Sequence, residues 1–125
     1  MIRRHLFAGL ILSIVLSQVA MAQSNTTRIR HMVVFKLIHP QGSAEEQVFL
    51  TAINKLAAIP GVEKFESMKQ ISQKNNFDFG LSMEFANQKA YDQYNNHPDH
   101  VAFVQNRWAK EVEDFLEIDF ELPEE

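Results

Sequence analysis

The sequence predicts an α+β fold of the ferredoxin-like type, βαββαβ, in which a four-stranded antiparallel sheet carries its helices on one face. Three observations predict it. Residues 29–38, 77–85 and 115–122 alternate side chains at the two-residue period of strands, residues 43–57 carry a 3.6-residue apolar stripe, and a second helical stripe through Tyr91 and Tyr94 precedes the last strand. Two right-handed crossovers then place both helices on the same side of the sheet.

Met1 to Ala22 has the form of a secretory signal peptide: basic Arg3, Arg4 and His5, an apolar run from Leu6 to Val19, then Ala20-Met21-Ala22 before Gln23. That run is short for a bilayer span, and the expectation is an exported chain, periplasmic or secreted, with no membrane attachment once the signal is removed. The remaining 103 residues, Gln23 to Glu125, suit one domain. Residues 23–27 are a polar, flexible lead-in, and residues 28–122 form the domain.

The first strand sets His31, Val33, Phe35 and Leu37 against Met32, Val34, Lys36 and Ile38. His39-Pro40-Gln41-Gly42 is a loop, and Ser43-Ala44-Glu45-Glu46 has capping-box spacing, so Ser43 opens a helix with Phe49, Ile53 and Leu56 inward, ended by Pro60-Gly61. Val62 to about Ser72 reads as a partly polar edge strand, joined through Gln73 to Asn76 to a central strand with Phe77, Phe79, Leu81, Met83 and Phe85 on one face. Asn87 caps the second helix. Beyond it Val101, Val104 and Trp108 continue an apolar stripe, and Leu116, Ile118, Phe120 and Leu122 alternate with acids in the last strand.

The sheet face away from the helices carries Met32, Val34, Lys36 and Ile38 with the smaller Asp78, Gly80 and Ser82. It is too apolar in the first strand to stand in water, so a second copy is expected to cover it, giving a homodimer through the sheet faces.

The densest chemistry lies in Tyr91-Asp92-Gln93-Tyr94-Asn95-Asn96-His97-Pro98-Asp99-His100. Pro98 ends the helix before it and suits the first position of the next, which makes His97 a cap and puts His100 in the first turn. Free N–H groups and the helix dipole there disfavour the imidazolium, while Asp99 favours it, so a neutral His100 is able to accept a proton near pH 7. The plain alternative is that both histidines serve only the turn. His31 likewise reads either as a hydrogen-bonded core residue or as part of a pocket.

Composition narrows the field. Removing Arg3 and Arg4 leaves 10 basic against 16 acidic residues, a net charge of −6 with no basic stripe, which speaks against nucleic acid and anionic membranes. The sequence has no cysteine, hence no disulfide or thiol chemistry. His31, His97 and His100 lack a recognisable metal-ligand spacing, and no heme or flavin motif is present, so neither metal nor cofactor is expected.

His31-Met32-Val33-Val34-Phe35-Lys36, Ile59-Pro60-Gly61-Val62, the Tyr91 to His100 stretch and Asp119 together resemble the stress-responsive dimeric α/β barrel (Dabb) family across residues 28–122. The resemblance implies the dimeric ferredoxin-like barrel. Most members have no assigned activity, and some plant members take part in stress responses. One similar branch comprises cofactor-free polyketide cyclases. In that branch a histidine after the His-Pro pair and a tyrosine six residues earlier form the acid/base pair, which correspond here to His100 and Tyr94. His31 corresponds to a pocket-lining strand histidine. Phe79 stands where the cyclases have another histidine, so the pocket is expected to be smaller and drier.

Two functional expectations follow. One is a stress-responsive protein of unassigned activity with a small apolar ligand held by His31, Val33, Phe35, Phe79, Leu81 and His97 beside Tyr94 and His100. The other is a proton-transfer enzyme of cyclase or isomerase type, with His100 as base and Tyr94 orienting it or stabilising an enolate.

Overall fold

Strand β1 (Ile29–Leu37) lies between β3 (Phe79–Phe85) and β4 (Val112–Glu121), and β2 (Glu63–Lys69) lies outside β3, so the sheet order is β2-β3-β1-β4. Every pairing is antiparallel. The computed structural model describes residues 26–124; residues 1–22, whose sequence reads as a signal peptide, and residues 23–25 of the expected lead-in lie outside the described residues.

The buried side chains account for this layout. Val33, Phe35 and Leu37 of β1 and Phe79, Leu81, Met83 and Phe85 of β3 point to one face. There they meet Phe49 and Ile53 of α1 (Ala44–Asn54), Leu56 of the tighter turn Lys55–Ala58, and Tyr94 of α2 (Gln88–Asn96). Both helices thus cover the same face, and burying these large apolar groups supplies most of the driving force. β3 sits inside the sheet, as its apolar run Phe79, Leu81, Met83 and Phe85 predicts.

Caps behave largely as read. Ser43 Oγ accepts from Glu46 N at 3.2 Å and Asn87 Oδ1 from Ala90 N at 2.9 Å. Glu46, however, reaches Gly42 N at 3.1 Å, because Ser43 N is already donated to Pro40 O. The edge strand is shorter than expected and stops at Lys69, leaving Ile71 fully in solvent. A bulge between Glu63 and Glu66, with Lys64 at φ 48°, twists this edge and shortens its regular pairing.

The segment after Pro98 also departs from a plain helical stripe. α3 (Pro98–Phe103) runs into a wide π-turn (Val104–Trp108) and then the short α4 (Ala109–Glu111). The wider turn shifts the phase, so Phe103 and Trp108, five apart, reach the core while Val101 stays exposed. Among the described residues no layer covers the other sheet face. Met32 and Val34 stand there opposite Ser82 and Gly80 on one side and Ile118 and Leu116 on the other, and Phe120 and Met68 extend the patch.

Candidate functional site

The site begins with the register of β4. His31 faces Asp119 across the β1–β4 ladder and Val33 faces Glu117, so these two acids point toward the helices, while Leu116, Ile118 and Phe120 between and beside them point toward the bare face. Directly opposed side chains in an antiparallel pair are close enough for a short carboxylate to reach an imidazole. His31 Nδ1 donates to Asp119 Oδ1 at 2.7 Å, and His31 is buried.

From α2, Tyr91 brings its hydroxyl to the same carboxylate, donating at 2.9 Å to Oδ2 and lying 3.0 Å from Oδ1 and from His31 Nδ1. Partial burial and the Asp119 carboxylate hold the Tyr91 phenol well above its usual range, so it stays protonated. Its ring stacks on Phe85 at 4.9 Å, and Tyr94, one helical turn on, packs against Phe85 at 5.1 Å. One phenylalanine of β3 therefore seats both tyrosines.

Across the Pro98 corner, the ring of His100 packs on Tyr94 with centroids 4.4 Å apart. His100 Nδ1 donates to Asn95 O at 3.1 Å, a carbonyl left free where α2 ends. A carbonyl only accepts, so the proton sits on Nδ1 and Nε2 keeps its lone pair. Burial, above all, pushes the His100 pKa below its ordinary value, with smaller contributions of the same sign from His31 and His97; the Asn95 hydrogen bond and Glu117 act against it. The Tyr94 phenol is raised by burial first and by the Glu117 charge second. No hydrogen bond joins Tyr94 to His100 among the described residues.

His31, Tyr94 and His100 open on one cavity of about 310 Å³, at the small end of the roughly 300–1,000 Å³ of small-molecule sites. Its polar end is His31, Tyr94, His100 and Glu117. Its apolar walls are Val33 and Leu81 from the sheet, Ile53 and Leu56 from the α1 region, Phe103, Val104 and Trp108 from the segment after the break, and Phe115. Among the described residues neither lysine nor arginine lines it.

Of the residues singled out in the sequence, His31, Val33, Leu81, Tyr94 and His100 come together at this cavity, whereas Phe35 and Phe79 lie elsewhere in the core, their rings 5.7 Å apart. His97 is the cap: its Nδ1 accepts from Asp99 N at 3.1 Å and it does not line the cavity. Tyr91 and Asp119, which the sequence marks only as part of the chemistry-bearing stretch and of the family resemblance, and Glu117 were given no role in the site. Alternation in β4 fixes that two faces exist but not which one meets the helices, and only the register with β1 turns the acids inward. Among the described residues no group of three His, Cys, Asp or Glu side chains is placed to hold a metal ion.

A dabb family protein with a ferredoxin-like fold from Mesorhizobium loti is 56% identical to this chain, with a TM-score of 0.76, covering 79% of this chain and 99% of that one. A dimeric ferredoxin-like protein of unknown function from Thermobifida fusca is 26% identical, with a TM-score of 0.65 over 77% of this chain and 92% of its own. The hydroxynitrile lyase of Passiflora edulis shares the fold at 13% identity, with a TM-score of 0.68 over 80% of this chain and 97% of its own. No curated protein matches. The model of the stress responsive A/B barrel domain matches residues 29–122, and the chain belongs to that family, Dabb.

Proposed function

We propose that this chain is an exported Dabb protein that works as a homodimer through its bare sheet faces and binds a small, uncharged, largely apolar molecule in the cavity between His31 and His100. The observation that carries the reading is the composition of that cavity: apolar walls closing on a polar end of two imidazoles, a phenol and a carboxylate. An anionic ligand would meet Glu117 with no lysine or arginine to balance it, whereas a neutral carbonyl or hydroxyl compound finds both donors and acceptors. The signal-peptide pattern of residues 1–22, which precedes the family match at 29–122, supports export. The half-exposed Leu116, Ile118 and Phe120 beside Met32 and Val34 support pairing, and so do the dimeric relatives from Thermobifida fusca and Bacteroides fragilis, the latter 25% identical.

Trp108 is the only tryptophan and stands in the cavity wall, so its fluorescence reads occupancy directly. Titration with uncharged aromatic and alicyclic ketones and aldehydes should give a saturable change that the matching carboxylic acids do not. Equal responses to both sets, or none to either, would defeat the reading.

One observation favours a second reading, proton transfer to or from the bound molecule. His100 keeps a free Nε2 on a ring held neutral by burial and held in the Nδ1–H tautomer by the Asn95 carbonyl, and it lies against Tyr94. Such a base removes a proton alpha to a carbonyl while the protonated phenol stabilises the enolate. Exchange of the alpha protons of a bound ketone in D2O, followed by proton NMR, tests this: His100→Gln should slow it by roughly 10²-fold or more.

A further inference from the structure

His31 carries more apparatus than a buried strand histidine needs. One hydrogen bond would satisfy its Nδ1, yet Asp119 and Tyr91 converge on it from two different elements, β4 and α2. The Tyr91 hydroxyl and the His31 Nδ1–H both donate to the same carboxylate, which leaves the carboxylate no freedom to swing away. Asp119 is itself partly exposed, so holding it in one place is the work of the tyrosine. With Nδ1 committed, Nε2 is the ring nitrogen left to act, and His31 lines the cavity together with His100.

We infer that Asp119 and Tyr91 are positioning residues for His31: they hold its ring in the Nδ1–H tautomer and orientation, so that Nε2 serves as a second proton acceptor at the cavity. In a proton transfer, Nε2 takes the proton from the bound molecule, the electron pair stays on the substrate as an enolate or alkoxide, and the carboxylate stabilises the imidazolium without itself being protonated. The same ring then returns the proton from Nε2, so the cycle needs no oxidant or cofactor. Tyr91 and Asp119 touch His31 rather than the ligand. The kinetic part of this inference rests on the proton-transfer reading above; the tautomer does not.

The test is a long-range proton–nitrogen NMR spectrum of the full mature chain without ligand, near pH 8. The expected result is one His31 tautomer, with Nδ1 protonated and Nε2 not. Asp119→Ala should replace it with an averaged or Nε2–H spectrum, and Asp119→Asn should weaken it. Tyr91→Phe should keep the tautomer but broaden the ring signals. A wild-type His31 that is already averaged or Nε2-protonated overturns the inference, whether or not the variants fold, as does an unchanged tautomer in both Asp119 variants. In the ketone exchange assay, Asp119→Asn should lower the rate by at least about tenfold and alter its pH profile, with Trp108-monitored binding intact. Loss of exchange in the wild type would remove the proton-transfer reading alone; loss of the tautomer would remove this one.

Discussion

Tyr94 and His100 face each other across the Pro98 corner with ring centroids 4.4 Å apart, although a helix end, a proline and a helix start separate them in the chain. The contact exists because α2 stops at Asn96 and the Asn95 carbonyl it leaves open takes the His100 Nδ1–H. A backbone loose end thus sets both the place and the tautomer of the imidazole, while burial keeps it neutral.

Stability near neutral pH should report that burial. His100 is held below its ordinary pKa when folded, so the unfolded chain binds its proton first as pH falls. Its contribution is therefore complete above about pH 6.5 and is lost as pH drops from there toward the lower folded value. Melting temperature against pH should fall more steeply below about pH 6.5 in the wild type than in His100→Gln. Identical slopes would mean the ring titrates as if in water.

A second acid transition belongs to the bare face. Glu84 is buried, yet it accepts from Arg30 at 2.6 Å and from Arg28 at 3.1 Å, with Lys64 Nζ 3.3 Å away. The Arg30 hydrogen bond, above all, lowers its pKa from 4.5 to about 2, against the opposing effect of burial. The stability this carboxylate contributes is full above about pH 4.5 and lost as pH falls toward 2. Glu84→Gln should cost roughly 2 kcal/mol at pH 7 in denaturant unfolding and flatten this acid limb.

Gly61 turns the chain after α1 at φ +90°, and a Cβ there would meet Ala90 only at an ordinary 3.5 Å. Gly61→Ala should therefore cost about 1–2 kcal/mol from backbone strain alone, seen as a lower denaturation midpoint with unchanged slope.

Pairing through the sheet faces makes a direct demand on Ile118, which projects from β4 onto the bare patch opposite Met32. Ile118→Lys should shift the chain from dimer to monomer in light scattering after gel filtration. Val48→Lys, at an exposed position on α1, should leave the dimer unchanged.

The fold was largely legible because its evidence is periodic: Phe79, Leu81, Met83 and Phe85 announce a central strand, and Phe49, Ile53 and Leu56 a helix lying on it. Pro98 and Ser43 mark helix starts by simple sterics and hydrogen bonding, and both held. What periodicity lacks is the phase of one strand against another. Asp119 and Glu117 look like the wet side of an outer strand until β1 pairs with it and sets them beside His31 and Val33. The role of Tyr91 was hidden for a related reason: its partners are 60 and 28 residues away, and no local pattern encodes them. The π-turn at Val104–Trp108 was equally hidden, since it answers to packing of Phe103 and Trp108 on the core rather than to local preference.

The central claim, that the cavity between His31 and His100 is the binding site, is tested most directly by mapping NMR shift changes in the isotope-labelled chain as acetophenone, a compact uncharged ketone, is added. Saturable changes at His31, Tyr94, His100 and the Trp108 indole, with the Glu84 cluster unmoved, are the predicted result. Changes confined to the bare face, or none up to the solubility limit of the ketone, would contradict it.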